Sequence, residues 1–114
     1  MNVFIESIER QGHEAIDDAE HAQRMARAYA AGREFRIEAG KRAEFTVEPG
    51  ACAVVYLLEG AVRFEGDDTP AGEGDTVRFK PAPRDEAALL GIQADRPARG
   101  ILVARPEPRG GAAA

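Results

Sequence analysis

The spacing of hydrophobic positions along the chain changes at Gly32. From 15 to 31 there is no glycine or proline, and alanine, the best helix former, is abundant. Ile16, Ala19, Ala22, Met25, Ala26 and Tyr29 recur at helical spacing, which predicts one amphipathic helix. Asp17, Asp18 and Glu20 near its start and Arg24 and Arg27 near its end complement the helix dipole. Gly32 is placed to cap its C-terminus.

Beyond Gly32 the period falls to two. Phe35 and Ile37 alternate with charged residues, as do Phe45 and Val47, and Ala39-Gly40-Lys41 turns the chain between them. Pro49-Gly50 ends the second run. Residues 53–58 are apolar on both faces, as a strand inside a sandwich or barrel would be. Val62 and Phe64, then Val77 and Phe79, alternate with polar neighbours, and Gly66-Asp67-Asp68 and Gly72-Glu73-Gly74-Asp75 supply turns. Pro81-Ala82-Pro83 stops that run, and two more, at 87–92 and 100–103, flank Asp95-Arg96-Pro97. About seven or eight short runs with a turn signal every 8 to 12 residues mark an all-β sandwich or barrel rather than a βαβ fold. The sequence thus divides into a helical segment (1–32), a β-barrel (33–105) and a tail, PEPRGGAAA (106–114), which has nothing to bury and is expected to be disordered.

Composition narrows the function classes. A chain of 114 residues fits one domain with a core of its own. With 20 acidic against 15 basic side chains the net charge is -5, and no Lys/Arg cluster offers a local exception, so no nucleic-acid partner is expected. The longest apolar run, Ala51 to Leu58, is far short of the roughly 18 residues that span a bilayer. The N-terminal MNVFIESIERQG has acids where a signal peptide needs positive charge, so a cytoplasmic location with no membrane partner is expected. Cys52, the single cysteine, excludes an internal disulfide framework and suits a reducing compartment.

Five stretches then carry a resemblance: EPG (48–50), YLLEG (56–60), AGEGD (71–75), TVRFKPAP (76–83) and ARGILV (98–103). In that order and spacing they resemble the cupin superfamily over residues 34 to 105, as in small RmlC-like single-domain members and the metal-free C-terminal halves of pirin-like proteins. The resemblance implies a mainly β fold, a double-sheet jelly-roll barrel, here with an N-terminal α-helix. Metal-binding cupins carry two histidines one residue apart, then a glutamate, then a glycine after six more residues. If Gly60 is that glycine, the glutamate position falls on Ala53, and the histidine positions on Val47 and Pro49 or on Thr46 and Glu48. The histidine of the second motif falls near Glu86. A transition metal needs three or four N, O or S donors converging at about 2.0 to 2.3 Å. Val, Ala and Pro side chains donate nothing, so no metal and no cofactor is expected.

The polar residues left as ligand-binding candidates are Glu48, Tyr56, Arg78 and Glu86. Glu48 and Arg78 alternate with Phe45, Val47, Val77 and Phe79, so a core on the apolar side turns both toward water. Tyr56 offers a hydroxyl to a ligand or simply packs. Cys52 has no histidine in the β region to activate it and reads as a small buried hydrophobe. His13 and His21, about 12 Å apart along a helix axis, cannot hold one ion together without a partner chain. Three functions stay open. The first is a metal-free, homodimeric cupin-fold module that binds a small molecule or a protein partner. The second is a metal-independent enzyme of the epimerase, isomerase or lyase type using barrel carboxylates. The third is metal binding by His13 or His21 across a dimer interface. The helix at 15–31 either covers part of its own barrel or packs on a neighbouring subunit.

Overall fold

A computed structural model describes residues 2–9, Arg27 and residues 32–106. Apart from Arg27, the helix expected at 15–31 lies outside the described residues, as do His13, His21 and 107–114. The strands are β1 (Ile5–Glu9), β2 (Arg33–Ile37), β3 (Arg42–Val47), β4 (Ala51–Glu59), β5 (Ala61–Phe64), β6 (Asp67–Gly72), β7 (Thr76–Phe79), β8 (Ala88–Ala94) and β9 (Ala98–Pro106). They form a five-stranded sheet, β1-β7-β4-β9-β2, and a four-stranded sheet, β3-β8-β5-β6.

The antiparallel pairing is nested. β5 pairs with β6, β4 with β7, β3 with β8 and β2 with β9, each pair enclosing the one before it. A hairpin folded over on itself in this way is the jelly roll, so the protein is mainly β with the double-sheet architecture its turns imply. Pairing of β4 with β9 and of β5 with β8 joins the arms into two sheets.

Alternation along the strands decides which side chains fill the space between the sheets. On β4, Ala51, Ala53, Val55 and Leu57 are buried, while Cys52, Val54, Tyr56 and Leu58 are half-buried on the outer face. Val47, Val62, Val77, Leu90 and Ile92 join the inner set, none more than 1% exposed. Two aromatic pairs tie the sheets together along their sides. Phe64 of β5 meets Phe79 of β7 edge-on, with centroids 5.0 Å apart, and Phe35 of β2 meets Phe45 of β3 at 5.8 Å. Such pairs add about 0.5–1.5 kcal/mol beyond the area they bury. Phe35 lies over Gly100, its cross-strand partner on β9, where a Cβ would stand 2.6 Å from the ring.

β1 extends the barrel into a stretch that its sequence assigned to the helical segment. Its buried-side residues, Ile5 and Ile8, are three apart, which is helical spacing, yet both pack on the core. A bulge between Ile5 and Ser7 reconciles the two, because an extra residue shifts the alternation by one. Upstream, Val3 is buried and its N–H donates to the Leu89 carbonyl on the other sheet.

The turns follow the sequence signals. Ala82 of the Pro-rich corner is buried, its N–H donates to the Ala51 carbonyl, and the Gly50 N–H donates to the Pro83 carbonyl. Asp75, itself buried, accepts from the Gly72 N–H at 2.8 Å and so closes the β6–β7 turn. Gly60, between β4 and β5, has φ +91° and faces the β8–β9 turn so closely that a Cβ would overlap the Pro97 carbonyl. Replacing Gly60→Ala combines left-handed strain with a backbone clash that no rotamer change relieves. It is expected to lower stability by about 2–4 kcal/mol, read from the urea unfolding midpoint at unchanged m-value.

Candidate functional site

In a barrel of this kind the first place to look for a site is the space between the sheets. Here it is lined by Ala53, Val55 and Leu57 on one side and Val62, Leu90 and Ile92 on the other, all 1% exposed or less. Ala53, the position to which the cupin motif spacing assigns a glutamate, points inward as a methyl group, and Val47, one of the alternatives for a histidine position, is buried in the same core. Pro49 is exposed at the β3–β4 turn. This donor set does not fit a transition metal, because no inward side chain at these positions has a lone pair to give. Among the described residues no three His, Cys, Asp or Glu side chains group together.

The four polar candidates lie outside the barrel core and do not converge. Glu48 is exposed just after β3, and Glu86 is exposed in the loop before β8. Arg78 is exposed on β7 and pairs across the ladder with Val54. Tyr56 is half-buried and pairs with Thr76 on one side and Ile101 on the other. Tyr56 and Arg78 therefore share the outer face of the five-stranded sheet as diagonal neighbours, while Glu48 and Glu86 sit in loops at one end of the barrel.

The structure brings together charges that sequence spacing does not. Arg42 of β3 donates to Glu44 at 2.7 Å and to Glu65, which follows β5. The Glu65 hydrogen bond, then that of Glu44, raises the Arg42 pKa above its ordinary value. Gly91 lies directly beneath, where a Cβ would collide with the Glu65 carboxylate, so the missing side chain leaves room for the pair. Arg63 grips Asp95 with two hydrogen bonds, at 3.0 and 2.9 Å. Arg42, Arg63 and Glu65 border a groove of about 270 Å³ on the outside of the four-stranded sheet.

A wider groove, about 630 Å³, opens at the other edge and is lined by Arg36, Ile37, Glu38, Glu59, Pro97 and Arg99. Arg99 bonds Glu59 at 2.9 Å and Glu34 at 3.4 Å, and Arg36 lies 3.6 Å from Glu34. All these pairs are solvated, so each contributes at most about 1 kcal/mol to folding. Both grooves can meet polar or charged surfaces. The carboxylates that line them, Glu38 and Glu59 in one and Glu65 in the other, are all exposed. The pairs Arg42–Glu65, Arg63–Asp95, Arg99–Glu59 and Arg99–Glu34 have no local sequence signal, since their members lie 23 to 65 residues apart.

One carboxylate has a local origin for its shift. Asp67, at the start of β6, accepts from the Thr69 hydroxyl at 2.6 Å and the Thr69 N–H at 3.0 Å. The hydroxyl bond, then the backbone bond, holds its pKa below the ordinary 3.8.

No protein-family profile matches this chain, and no curated protein matches it. Among solved structures it is similar to a de novo designed double-stranded β-helix, with a TM-score of 0.53 and 18% identity over 65% of this chain and 97% of that one. It also aligns with a DUF861 family protein from Thermotoga maritima, with a TM-score of 0.49 and 19% identity over 86% of this chain and 96% of that one. With the nested pairing, the first likeness defines the class: a double-stranded β-helix, the cupin-like jelly roll. No helix among the described residues is long and apolar enough to cross a membrane.

Two variants probe this arrangement. Ala53→Glu puts a carboxylate among methyl groups with no donor in reach. It is expected to cost more than about 3 kcal/mol at neutral pH, and added Mn, Ni or Zn is expected to restore none of it in thermal melts. Thr69→Ala removes the larger cause of the Asp67 shift, and the carboxyl carbon resonance of Asp67 should then titrate closer to 3.8. The sign follows from a depressed folded-state pKa. The stabilisation that the Thr69 bonds give is present above the unfolded-state pKa of about 3.9 and is lost as pH falls through the folded value. In Thr69→Ala that acid-side loss is smaller.

Proposed function

We propose that this domain is a non-catalytic, metal-free cupin-fold module that works through its outside surface, as a protein-interaction or accessory domain. The observation that carries this reading is the packed interior. The volume that a ligand-binding barrel keeps open is taken up here by Ala53, Val55, Leu57, Val62, Leu90 and Ile92. A metal-independent enzyme would need an acid inside the barrel, and the two carboxylates considered for that role, Glu48 and Glu86, both face solvent. A small-molecule ligand would have to use a surface cleft instead, and the groove beside Arg36 and Arg99 has the size for one. The reading includes a cytoplasmic location and assembly as a homodimer, the commonest way to present one surface twice.

The test is methyl-resolved NMR of the full chain, titrated with Mn, Fe, Ni and Zn and with a metabolite library. Resonances of Val55, Leu57, Leu90 and Ile92 are expected to stay in place throughout, with responses confined to surface amides. A ligand or metal that moves those methyl groups at one equivalent occupies the barrel, and the reading is then wrong.

A further inference from the structure

β2 ends the five-stranded sheet, with β9 on one side of it. Among the described residues, the backbone of Arg33–Ile37 makes no bond outside that ladder, so its other edge presents unpaired N–H and C=O groups. The remaining sheet edges are blunted. β1 pairs through a bulge, and β6 contains Pro70, which has no N–H to give. On β3 the cation Arg42 is already bound to Glu44 and Glu65. β2 has neither bulge nor proline.

The charges on this edge are distributed unevenly. The strand REFRI buries Phe35 and Ile37 on its inner face and exposes Glu34 and Arg36 on its outer one. Across the ladder Arg36 faces Arg99, and like charges directly opposite destabilise a sheet unless carboxylates offset them. Arg99 has Glu59 at 2.9 Å and Glu34 at 3.4 Å. Among the described residues Arg36 has only Glu34, at 3.6 Å and shared with Arg99, and its side chain stays 77% exposed. The outward row Glu59, Arg99, Arg36 therefore stops at the sheet edge on a cation with room for a carboxylate beyond it.

We infer that β2 pairs antiparallel with β2 of a second copy, about a two-fold axis normal to the sheet and centred on Phe35, joining the five-stranded sheets of two copies edge to edge. This rests on the homodimer in the functional reading and assigns it a surface. Centred there, Glu34 stands opposite Arg36 of the partner subunit at both ends of the ladder. Moving the centre by one residue sets Glu34 against Glu34 of the partner subunit, or Arg36 against Arg36 of the partner subunit, so the charges select the register. Phe35 is also the midpoint of Arg33–Ile37, so that register uses the whole strand. On β3, pairing Arg42 with Glu44 in the same way would be centred on Ala43 and would run off the strand at Lys41. Edge charges ordinarily guard against pairing, but alternating signs reject other strands and admit the same sequence run antiparallel. The ladder is about 17 Å long, a small interface, so the dimer is expected to dissociate on dilution and at high salt.

Sedimentation of the full chain over a concentration series is expected to show monomer and dimer in exchange, with the dimer lost as salt rises. Glu34→Arg and Arg36→Glu each set like charges opposite at both ends of the ladder, and each alone is expected to weaken self-association about 10-fold or more. Mixed in equal amounts, the two variants regain both opposite-charge pairs, so the mixture is expected to associate as tightly as the wild type. Amide exchange of the wild-type chain needs no substitution: the amides of β2 are expected to gain protection as concentration rises, and those of β1, β3 and β6 are not. A wild-type chain that stays monomeric at about 1 mM overturns both this inference and the homodimer in the functional reading. A dimer that both variants leave intact, a mixture that does not recover, or concentration-dependent protection at another edge overturns the interface alone.

Discussion

The constraint on which the rest of this structure depends is that two sheets must bury their inner faces on one another with no unfilled volume. Interiors pack as densely as organic crystals, and a void or a misplaced polar atom costs kilocalories against a net stability of only about 5–15 kcal/mol. Inward positions on β4, β5, β7 and β8 meet that demand with methyl, branched alkyl and phenyl groups. Phe64 against Phe79 and Phe35 against Phe45 then fix the spacing at the two sides, where each sheet contributes one ring. Once the middle is filled in this way, the ion pairs between the strands have to lie outside it, and the buried Asp75 is tied to the Gly72 N–H of a turn.

That exclusion shapes the chemistry available. A site built between sheets works in low dielectric, where a carboxylate can be pushed toward neutrality or a metal held away from water. The Arg–Glu and Arg–Asp pairs described here lie in high dielectric and are screened by solvent. Such groups set the pattern of a surface, the part of recognition that steers encounter and rejects wrong partners. The jelly roll in this protein is consequently a rigid frame for an exterior, and its Arg and Glu side chains are arranged by strand order rather than by a cavity.

Much of the frame was legible in the sequence. The turn glycines and the Pro-rich corner stood where the chain reverses, and a strand apolar on both faces announced the central position of β4, flanked by β7 and β9. Counting back from Gly60 placed an alanine where the motif it resembles has a glutamate, and Ala53 is indeed one of the buried, inward-facing residues of β4. β1 was hidden because its bulge gives Ile5 and Ile8 the spacing of a helix, and period alone cannot distinguish a bulged strand from a helical turn. The Arg42–Glu65 and Arg99–Glu59 pairs were invisible for another reason. They depend on which strands become neighbours, and pairing order is a property of the folded topology, to which charge spacing along the chain gives no clue.

The nested pairing also orders events in time. β5 and β6 are joined by a tight turn and pay little entropy to meet, whereas β2 and β9 bring Arg33 and Leu102 together from opposite ends of the barrel sequence. Closing that outer loop first would carry the full logarithmic cost of its length. Closing it last, after β4–β7 and β3–β8 have zipped, leaves only the short connection between adjacent arms to be restrained. By loop-closure entropy alone, the β5–β6 hairpin is the cheapest of the nested pairs to close and β2–β9 the costliest, until the pairs inside it have formed.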